Sequence, residues 1–308
     1  MAKSAAERSV GVIGLGIMGS AMSGNLMRAG YRVIGYDVAA RPRSNHRRAG
    51  GMVAAGCAAV AQQAEVIVCS LPSSDALLQT AAALAESPPP LVVVETSTLP
   101  IAVKEQARRT MAKRGAIMLD CPLSGTGAQA RVKDLVVYGS GNRRAYRRIV
   151  PVLDAFARAQ YYVGAFGAGS TMKFVANLLV AIHNVAAAEA IVLAINAGLD
   201  PAMVVKVIGD GAGSSRMFQV RGPLMAKGDY SHPTMKLDVW EKDMAIIADF
   251  ARQFGCRTPL FDATGPIYTA ARGLGGQQDT AAVCAVLERM SGGARRKVQS
   301  TKYKVQSK

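Results

Sequence analysis

The feature that most constrains the fold is a glycine-rich turn between two apolar runs near the start of the chain. Residues 10–13 lead into the turn, a helical pattern covers residues 20–29, and the second apolar run covers residues 31–36. This order predicts a strand, a tight turn, a helix and a second strand. The spacing G-x-G-x-x-G lets the backbone approach a pyrophosphate while the helix N-terminus faces the phosphates. The residues predicted to bind a dinucleotide there are Gly14, Leu15, Gly16, Ile17, Met18 and Gly19.

Asp37 ends the second predicted strand, eighteen residues after Gly19. A carboxylate at this position accepts hydrogen bonds from the ribose hydroxyls of NAD and repels the additional phosphate of NADP. If the glycine turn had a purely structural role, the position of Asp37 at the end of the second strand would be a coincidence. NAD is therefore the predicted cofactor. NADP stays open because nearby arginines can hold a 2′-phosphate: Arg41, Arg43, Arg47 and Arg48.

Strand-like and helical patterns alternate as far as about residue 163, which predicts an α/β Rossmann-type domain with a doubly wound, mostly parallel sheet. The candidate strands are residues 10–13, 32–36, 66–70, 91–95, 117–119, 135–138 and 160–163. After Gly164 the pattern is almost wholly helical, so a long helix over about 170–197 is expected to join an all-α domain. We expect a dinucleotide-binding domain, a helical substrate and dimerisation domain, and a disordered basic tail: 1–165, 166–290 and 291–308.

Polar turns follow several of the predicted strands. Leu71 and Pro72 follow the third strand, and Thr98 lies in a turn after the fourth. Ligands bind at the carboxyl ends of strands in such sheets, so both turns are predicted to line the nicotinamide half of the groove. Helix capping by Ser and Thr is the alternative. A further turn, after the fifth strand, offers hydroxyls and exposed amides that suit a carboxylate: Ser124, Gly125 and Thr126.

Lys173 and Asn177 lie four residues apart in the first turns of the long apolar helix, so they share one face. An amine and an amide on the core side of such a helix are costly without partners. The pair therefore indicates a substrate, a cofactor or a buried polar network. The alternative is a lysine whose ammonium group reaches solvent at the helix start. Lys242 and Asp243, on a later helix, are by themselves typical of a solvated surface pair.

The composition agrees with a two-domain enzyme. The chain has 308 residues and half of them are hydrophobic, which is enough for a large core. No run approaches eighteen apolar residues without glycine or charge, so no membrane span is predicted. Five widely spaced cysteines indicate reduced thiols in a cytoplasmic protein. Because there is no C-x-x-C pair and the histidines are scattered, no metal site is predicted.

The charge balance raises a rival class of function. Thirty-seven Lys and Arg against twenty-one Asp and Glu give a net charge of +16. A strongly basic surface attracts nucleic acid and other polyanions. A non-catalytic nucleic-acid or polyanion binder is therefore the alternative. The complete set of polar site residues favours an enzyme with a small carboxylate substrate, for which nucleic acid is not the partner.

Four motifs in this order resemble those of the β-hydroxyacid dehydrogenase family, which includes 3-hydroxyisobutyrate dehydrogenase and tartronate semialdehyde reductase. They are the glycine turn with the residues up to Gly30, Ser124-Gly125, residues 167–177 and Lys242-Asp243. The resemblance covers roughly residues 9–290. It implies hydride transfer between NAD(P) and a small 3-hydroxy acid, or the matching semialdehyde, in a homodimer or homotetramer.

The resemblance also implies roles for single residues. Lys173 would act as the general acid/base, and Asn177 would orient the substrate. Ser124 and Gly125 would hold the substrate carboxylate. Two further residues would help to bind the cofactor: Thr98 and Lys242.

One residue departs from the family pattern. Thr126 stands where the family usually has the second glycine of a Ser-Gly-Gly turn, a departure that bears on the substrate rather than on the reaction type. Imine reductases of the same family are an alternative activity. They commonly have another residue at the lysine position, so Lys173 argues against that branch.

Overall fold

The computed structural model describes residues 9–86 and 91–292. The chain divides into two compact units: the first unit ends at Ala176 and the second unit begins at Asn177. Apart from residues 291 and 292, the predicted basic tail lies outside the described residues.

The first unit is built on a single mixed sheet. Its strands among the described residues are β1 (Ser9–Ile13), β2 (Arg32–Tyr36), β3 (Met52–Val53), β4 (Val66–Cys69), β5 (Val92–Glu95), β6 (Ile117–Asp120), β7 (Leu123–Ser124), β8 (Val136–Ser140) and β9 (Ala159–Gly164). The spatial order is β3-β2-β1-β4-β5-β6-β8-β7, with β9 paired to β8. The first six strands pair in parallel, and β8 runs antiparallel to β6 and β7. The carboxyl ends of β1, β2, β4, β5 and β6 therefore meet at one edge.

Helices cover both faces of this sheet. They are α1 (Ile17–Arg28), α2 (Ala40–Arg48), α3 (Cys57–Ala61), α4 (Ser74–Ala85), α5 (Ile101–Ala112), α6 (Gly127–Arg131) and α7 (Arg143–Phe156). One apolar cluster joins the sheet to α1 and α7, through residues such as Met22 and Ile149. A second joins it to α3, α4 and α5, through residues such as Leu77 and Met111. Because each face has its own core, the domain is doubly wound, as predicted.

The second unit is helical. Its helices among the described residues are most of α8 (Ala168–Asn196), which begins in the first unit, then α9 (Pro201–Gly209), α10 (Arg216–Lys227), α11 (Leu237–Gln253), α12 (Pro259–Gly275) and α13 (Val283–Met290). Trp240 of α11 is buried and packs against Tyr268 of α12, with ring centroids 5.9 Å apart. Asp200 caps α9 by accepting the N–H groups of Ala202 and Met203, which is why that helix starts where it does.

The predicted fold class is confirmed: a mostly parallel Rossmann-type sheet is followed by an all-α region. The strands β3 and β7 were not predicted, because each has only two residues and neither shows a periodic pattern. The predicted domain border, after residue 165, lies close to the start of α8, whereas the two units divide within that helix. The assignment of separate roles to the predicted domains stays a prediction.

Among the described residues, α8 is the one helix that is long and apolar enough to cross a membrane by length and composition. The core helix of a soluble protein passes the same test. Two asparagines of α8 are buried and hydrogen-bonded within the second unit, Asn177 to Asp243 and Asn184 to Tyr268. The Nδ2 groups of both asparagines are therefore paired inside the protein, as buried polar groups generally are.

Candidate active site

The phosphate turn, Gly14–Gly19, connects β1 to α1 and is shaped by backbone contacts. Gly14 has a φ of +86°, and a Cβ at this position would lie 2.1 Å from the carbonyl oxygen of Ser70. A Cβ at Gly19 would lie 1.8 Å from the carbonyl oxygen of Gly14. Both positions therefore exclude any side chain, and the helix packs directly on the turn that precedes it.

The space above this turn fits the diphosphate of a dinucleotide. Apart from Gly16 and its chain neighbours, no described residue has an atom within 4 Å of the place that a Cβ would take at Gly16. Gly16 is the N-cap of α1, and no described side chain caps this helix end. The first-turn N–H groups of α1 can therefore bind an anion, with the helix dipole in the favourable direction.

Asp37 lies directly after β2 and beside the phosphate turn. Its Oδ2 accepts the backbone N–H of Leu15 at 2.8 Å, and its Oδ1 accepts that of Ala39 at 2.8 Å. Arg43 donates to the carbonyl oxygens of Asp37 and Val38 at 2.6 and 2.9 Å. The carboxylate and a guanidinium group thus share the turn at which this fold binds the adenine ribose.

The turns after β4 and β5 are joined by a hydrogen bond. The N–H of Leu71 donates to Oγ of Ser97 at 2.8 Å, which holds Leu71 and Pro72 next to the turn that carries Thr98. Ser73 caps α4 by accepting the N–H of Ala76. Helix capping, the alternative raised for these hydroxyls, therefore holds for Ser73, whereas Ser97 ties the two predicted nicotinamide-side turns together.

The predicted substrate turn, Ser124–Thr126, lies between β7 and α6. Gly125 has a φ of +136°, which favours glycine. Thr126 is the N-cap of α6 and forms a capping box with Gln129, whose side chain accepts the N–H of Thr126 at 3.0 Å. The threonine that departs from the family pattern thus has a local structural reason. A Cβ at Gly127 would lie 2.4 Å from Cγ2 of Ile17, so α6 packs against the first residue of α1.

Lys173 lies in the second turn of α8 and is buried, with 8 % of its surface exposed. The start of the helix is pressed against the sheet: a Cβ at Gly169 would lie 2.4 Å from the carbonyl oxygen of Tyr138. Little of Lys173 is therefore open to solvent, which argues against the alternative of a lysine that extends into solvent. Its catalytic role stays a prediction.

Asn177, Lys242 and Asp243 meet within the second unit. Nδ2 of Asn177 donates to Oδ2 of Asp243 at 3.2 Å, and Nζ of Lys242 lies 3.4 Å from Oδ1 of the same carboxylate. Asn177 and Asp243 are both 3 % exposed, whereas about a third of the Lys242 side chain is exposed. The pair Lys242-Asp243 is therefore more than a solvated surface pair.

Two charged residues lie on buried helix faces: Lys104 was not selected from the sequence, and Asp243 was selected only as part of the Lys242-Asp243 motif. Asp243 lies on the buried stripe of α11, between Trp240 and Ile247. Lys104 lies in the same way on the buried stripe of α5, with Ala107 and Met111. A charged residue at a core position of a helical repeat was the signal available in each case.

The five cysteines are free thiols. Burial raises the pKa of the Cys57 thiol, and it raises the pKa of the Cys69 and Cys121 thiols well above the usual range. Within residues 9–86 and 91–292, no three His, Cys, Asp or Glu side chains are grouped to hold a metal ion.

Comparison with known proteins agrees with this geometry. Residues 9–164 match the family model for the NAD-binding domain of 6-phosphogluconate dehydrogenase, and residues 167–287 match that for the NAD-binding region of NADP-dependent 3-hydroxyisobutyrate dehydrogenase. The L-threonate dehydrogenase of Cupriavidus necator is 35% identical over 284 residues, which cover 90% of this chain and 95% of that protein.

Solved structures give the same result. The 3-hydroxyisobutyrate dehydrogenase of Salmonella typhimurium superimposes with a TM-score of 0.83 at 30% identity, covering 91% of this chain and 100% of that one. Psf3 in complex with NADP+ and 2-OPP superimposes with a TM-score of 0.82 at 26% identity, covering 90% and 99%. With its phosphate turn, its sheet order and these matches over nearly its whole described length, the chain belongs to the β-hydroxyacid dehydrogenase family of NAD(P)-dependent oxidoreductases.

Proposed function

We propose that this protein oxidises a small hydroxycarboxylate with Lys173 as the general acid/base, and that L-threonate is the first substrate to test. The observation that carries the proposal is the burial of Lys173 and Asn177 one helical turn apart on α8, in a chain whose phosphate turn has no room for a side chain at Gly14 or Gly19. Burial of a lysine amine costs free energy, and ionisable groups in such environments are concentrated at functional sites.

The proposed chemistry divides between cofactor and protein. When bound, the nicotinamide supplies the hydride acceptor. Lys173 in its neutral form takes the hydroxyl proton of the substrate, and its ammonium form returns that proton to the carbonyl oxygen in the reverse direction. Ser124 and Gly125 hold the substrate carboxylate and so fix which carbon is presented for oxidation.

Asn177 is proposed to orient the substrate hydroxyl. Its Nδ2 donates to Asp243, which fixes the amide in one of its two orientations and leaves Oδ1 as the acceptor for a substrate hydroxyl. Asp243 is thus a positioning residue for Asn177, and Lys242 next to it is proposed to contact the cofactor.

The choice of L-threonate rests on the named relatives. L-threonate dehydrogenases from several bacteria are 30 to 35% identical to this chain over at least 90% of its length. L-threonate has a carboxylate and three neighbouring hydroxyl groups. Position 126, where the polar Thr126 stands beside Ser124 and Gly125, is compatible with such a polyhydroxy acid.

NAD is the proposed cofactor of choice. Asp37 is fixed by two backbone N–H groups beside the turn, so its negative charge cannot move away from a 2′-phosphate without losing both hydrogen bonds. Arg43 is already engaged by two carbonyl oxygens. We therefore expect repulsion by the carboxylate to outweigh attraction by this arginine.

The protein is also proposed to be a cytoplasmic homo-oligomer. Bacterial relatives support the location. The support for self-association is an outward-facing row on α8 with the seven-residue spacing of paired helices, Leu179, Ala186 and Leu193, of which Leu193 is 71 % exposed. Light scattering coupled to gel filtration measures the mass directly, and a monomer at micromolar concentration would contradict this part of the proposal.

The experiment that tests the function is a substrate panel with both nicotinamide cofactors. L-threonate, 3-hydroxyisobutyrate and 2-(hydroxymethyl)glutarate are compared with L-threitol, which keeps the hydroxyl pattern of L-threonate but lacks the carboxylate. We expect kcat/KM for L-threonate with NAD to exceed that for L-threitol by about ten- to a hundredfold, since a charge-assisted carboxylate contact contributes roughly 1.5–3 kcal/mol. Equal rates for the acid and the polyol, or no turnover of any acid, would contradict the proposal.

A further inference from the structure

A cluster of three charged side chains is buried beneath the strand ends of the first unit. Nζ of Lys104 lies 2.6 Å from Oε2 of Glu95 and 2.8 Å from Oδ1 of Asp120, and all three side chains are fully buried. Burial alone would lower the pKa of Lys104, but the two carboxylates outweigh it and raise that pKa above its ordinary value. The buried charge cluster, Glu95, Lys104 and Asp120, therefore holds a permanent cation.

Asp120 uses the rest of its carboxylate to hold the start of α8. Its Oδ2 accepts the N–H of Ser170 at 2.8 Å, and its Oδ1 accepts the Ser170 hydroxyl at 2.8 Å. The hydroxyl of Ser140 donates to the Asp120 carbonyl oxygen at 3.0 Å and accepts the N–H of Gly169 at 3.0 Å. Helix α8 begins at Ala168, so these donors belong to its first turn, whose N–H groups have no partner within the helix.

The charges of this arrangement partly offset one another. With both carboxylates ionised, the three side chains carry one net negative charge, and the N-terminus of α8, equivalent to roughly half a positive charge, offsets part of it. Apolar side chains of similar volume would often stabilise such a core at least as well as buried ions do. They form no directional hydrogen bonds, however, and so would not fix the residue at which α8 begins. The cluster therefore specifies where α8 starts as well as holding it to the sheet.

The buried charge cluster also forms hydrogen bonds with one of the turns that carry the predicted site residues. Lys104 donates to the carbonyl oxygen of Ser97 at 2.7 Å, and the N–H of Ser97 donates to Glu95 at 2.8 Å. Ser97 precedes Thr98 and accepts the N–H of Leu71. Asp120 ends β6, four residues before Ser124, and Ser170 lies one turn before Lys173 on α8.

We propose that Lys104 is a positioning residue of the active site: through Asp120 and Ser170 it sets the place of Lys173 relative to the turns that hold nicotinamide and substrate. Lys104 touches no reactant in this account. The inference rests on the proposed role of Lys173, but its structural half, the fixing of the first turn of α8, stands without it.

The first test removes single contacts and separates kcat from binding. Ser170→Ala deletes the hydroxyl that bonds Asp120, and Thr264→Val is the matched control, because Thr264 is a buried hydroxyl bonded to a helix carbonyl in the second unit. We expect Ser170→Ala to lower kcat about tenfold, with the Kd for NAD and the KM for substrate within twofold of wild type. Thr264→Val should lower the melting temperature to a similar extent and leave kcat within twofold. An equal effect of both variants on kcat would overturn the proposal.

The second test needs no turnover. In Lys104→Met, hydrogen exchange at the amides of Gly169 and Ser170 should accelerate at least tenfold, while the amides of β1 stay protected. Unchanged exchange in a folded Lys104→Met variant would overturn the inference, and Ser170→Ala, read in the same way, carries the test if Lys104→Met does not fold. If exchange and kcat change as expected while Lys173→Ala keeps wild-type kcat, the structural half holds and the proposed function fails.

Discussion

Two glycines of the first unit and two of the second differ in what surrounds them. In the first unit, a Cβ at Gly14 or Gly19 would overlap a backbone carbonyl oxygen, at 2.1 and 1.8 Å. In the second unit, a Cβ at Gly209 or Gly273 would have within 4 Å no described atom other than those of its chain neighbours and of its own helix backbone. The first pair is required by contact between backbones, whereas the second pair occupies helical positions that other residues can fill.

This difference explains why the sequence indicates the site in the first unit by a spacing of glycines and the site in the second unit only by single polar side chains. Steric necessity fixes the phosphate turn, so its spacing alone indicates a dinucleotide site. In the second unit the proposed site depends on single side chains, such as Asn177 and Asp243, that lie on otherwise apolar helix faces. Substitutions in the two regions should therefore affect different measurable quantities.

Among the variants that test this difference between the two units, Gly14→Ala is expected to have the largest effect. Alanine at this position has to adopt a left-handed backbone conformation, and its methyl group overlaps the carbonyl oxygen of Ser70. The NAD affinity should therefore fall about a hundredfold, or roughly 3 kcal/mol. Isothermal titration with NAD measures this directly. The matched control is Gly273→Ala, which places the same methyl group in open space. Wild-type NAD affinity in Gly14→Ala would break the steric account of the turn.

Asp243→Ala tests whether activity depends on a single side chain of the second unit. It removes the acceptor of Asn177 and the partner of Lys242, and the loss of a charge-assisted hydrogen bond is worth about 2 kcal/mol, or roughly thirtyfold in kcat/KM. Steady-state kinetics with the best acid of the panel gives the value. Asp243→Asn, which keeps one acceptor oxygen, should retain more activity. An unaffected kcat/KM in Asp243→Ala would reduce this carboxylate to a packing role.

Asp37→Ala should change cofactor discrimination without changing the chemical step. We expect the preference for NAD over NADP to fall about tenfold, or roughly 1.4 kcal/mol, because the repulsion of the 2′-phosphate is lost. The ratio of kcat/KM for the two cofactors is the measurement. A wild-type enzyme that already prefers NADP would show that Arg43 and its neighbours dominate at this turn.

Gly273→Ala is the smallest expected change and has the opposite sign. Gly273 lies near the end of α12 with no described atom in the way, so alanine should raise the free energy of unfolding by about 0.5–1 kcal/mol. Urea denaturation of both proteins provides the comparison. A destabilised variant would mean that this position is as constrained as the phosphate turn, and the contrast between the two units would fail.

The sequence predicted the fold wherever a pattern repeats or a steric requirement acts. The long strands, the phosphate turn and α8 belong to this class. The strands β3 and β7 were missed because two residues show no periodicity, and the antiparallel pairing of β8 depends on contacts distant in the sequence. Lys104 and Asp243 could be seen as charges on apolar stripes, but the pairing of Lys104 with Asp120 and of Asp243 with Asn177 became identifiable only in the folded chain.

The most direct test of the central claim is a kinetic comparison of Lys173→Ala and Lys173→Arg beside a titration with NAD. Both variants should lower kcat by about 10² to 10⁴, the usual contribution of a positioned acid or base, since arginine stays protonated and cannot accept the proton of the alcohol. The Kd for NAD should stay within about threefold of wild type, because the phosphate turn is untouched. Lys206→Ala, at an exposed position of α9, is the control for the loss of a lysine. A near-normal kcat in Lys173→Arg, with the loss confined to KM, would contradict the account by making Lys173 an anchor for the carboxylate.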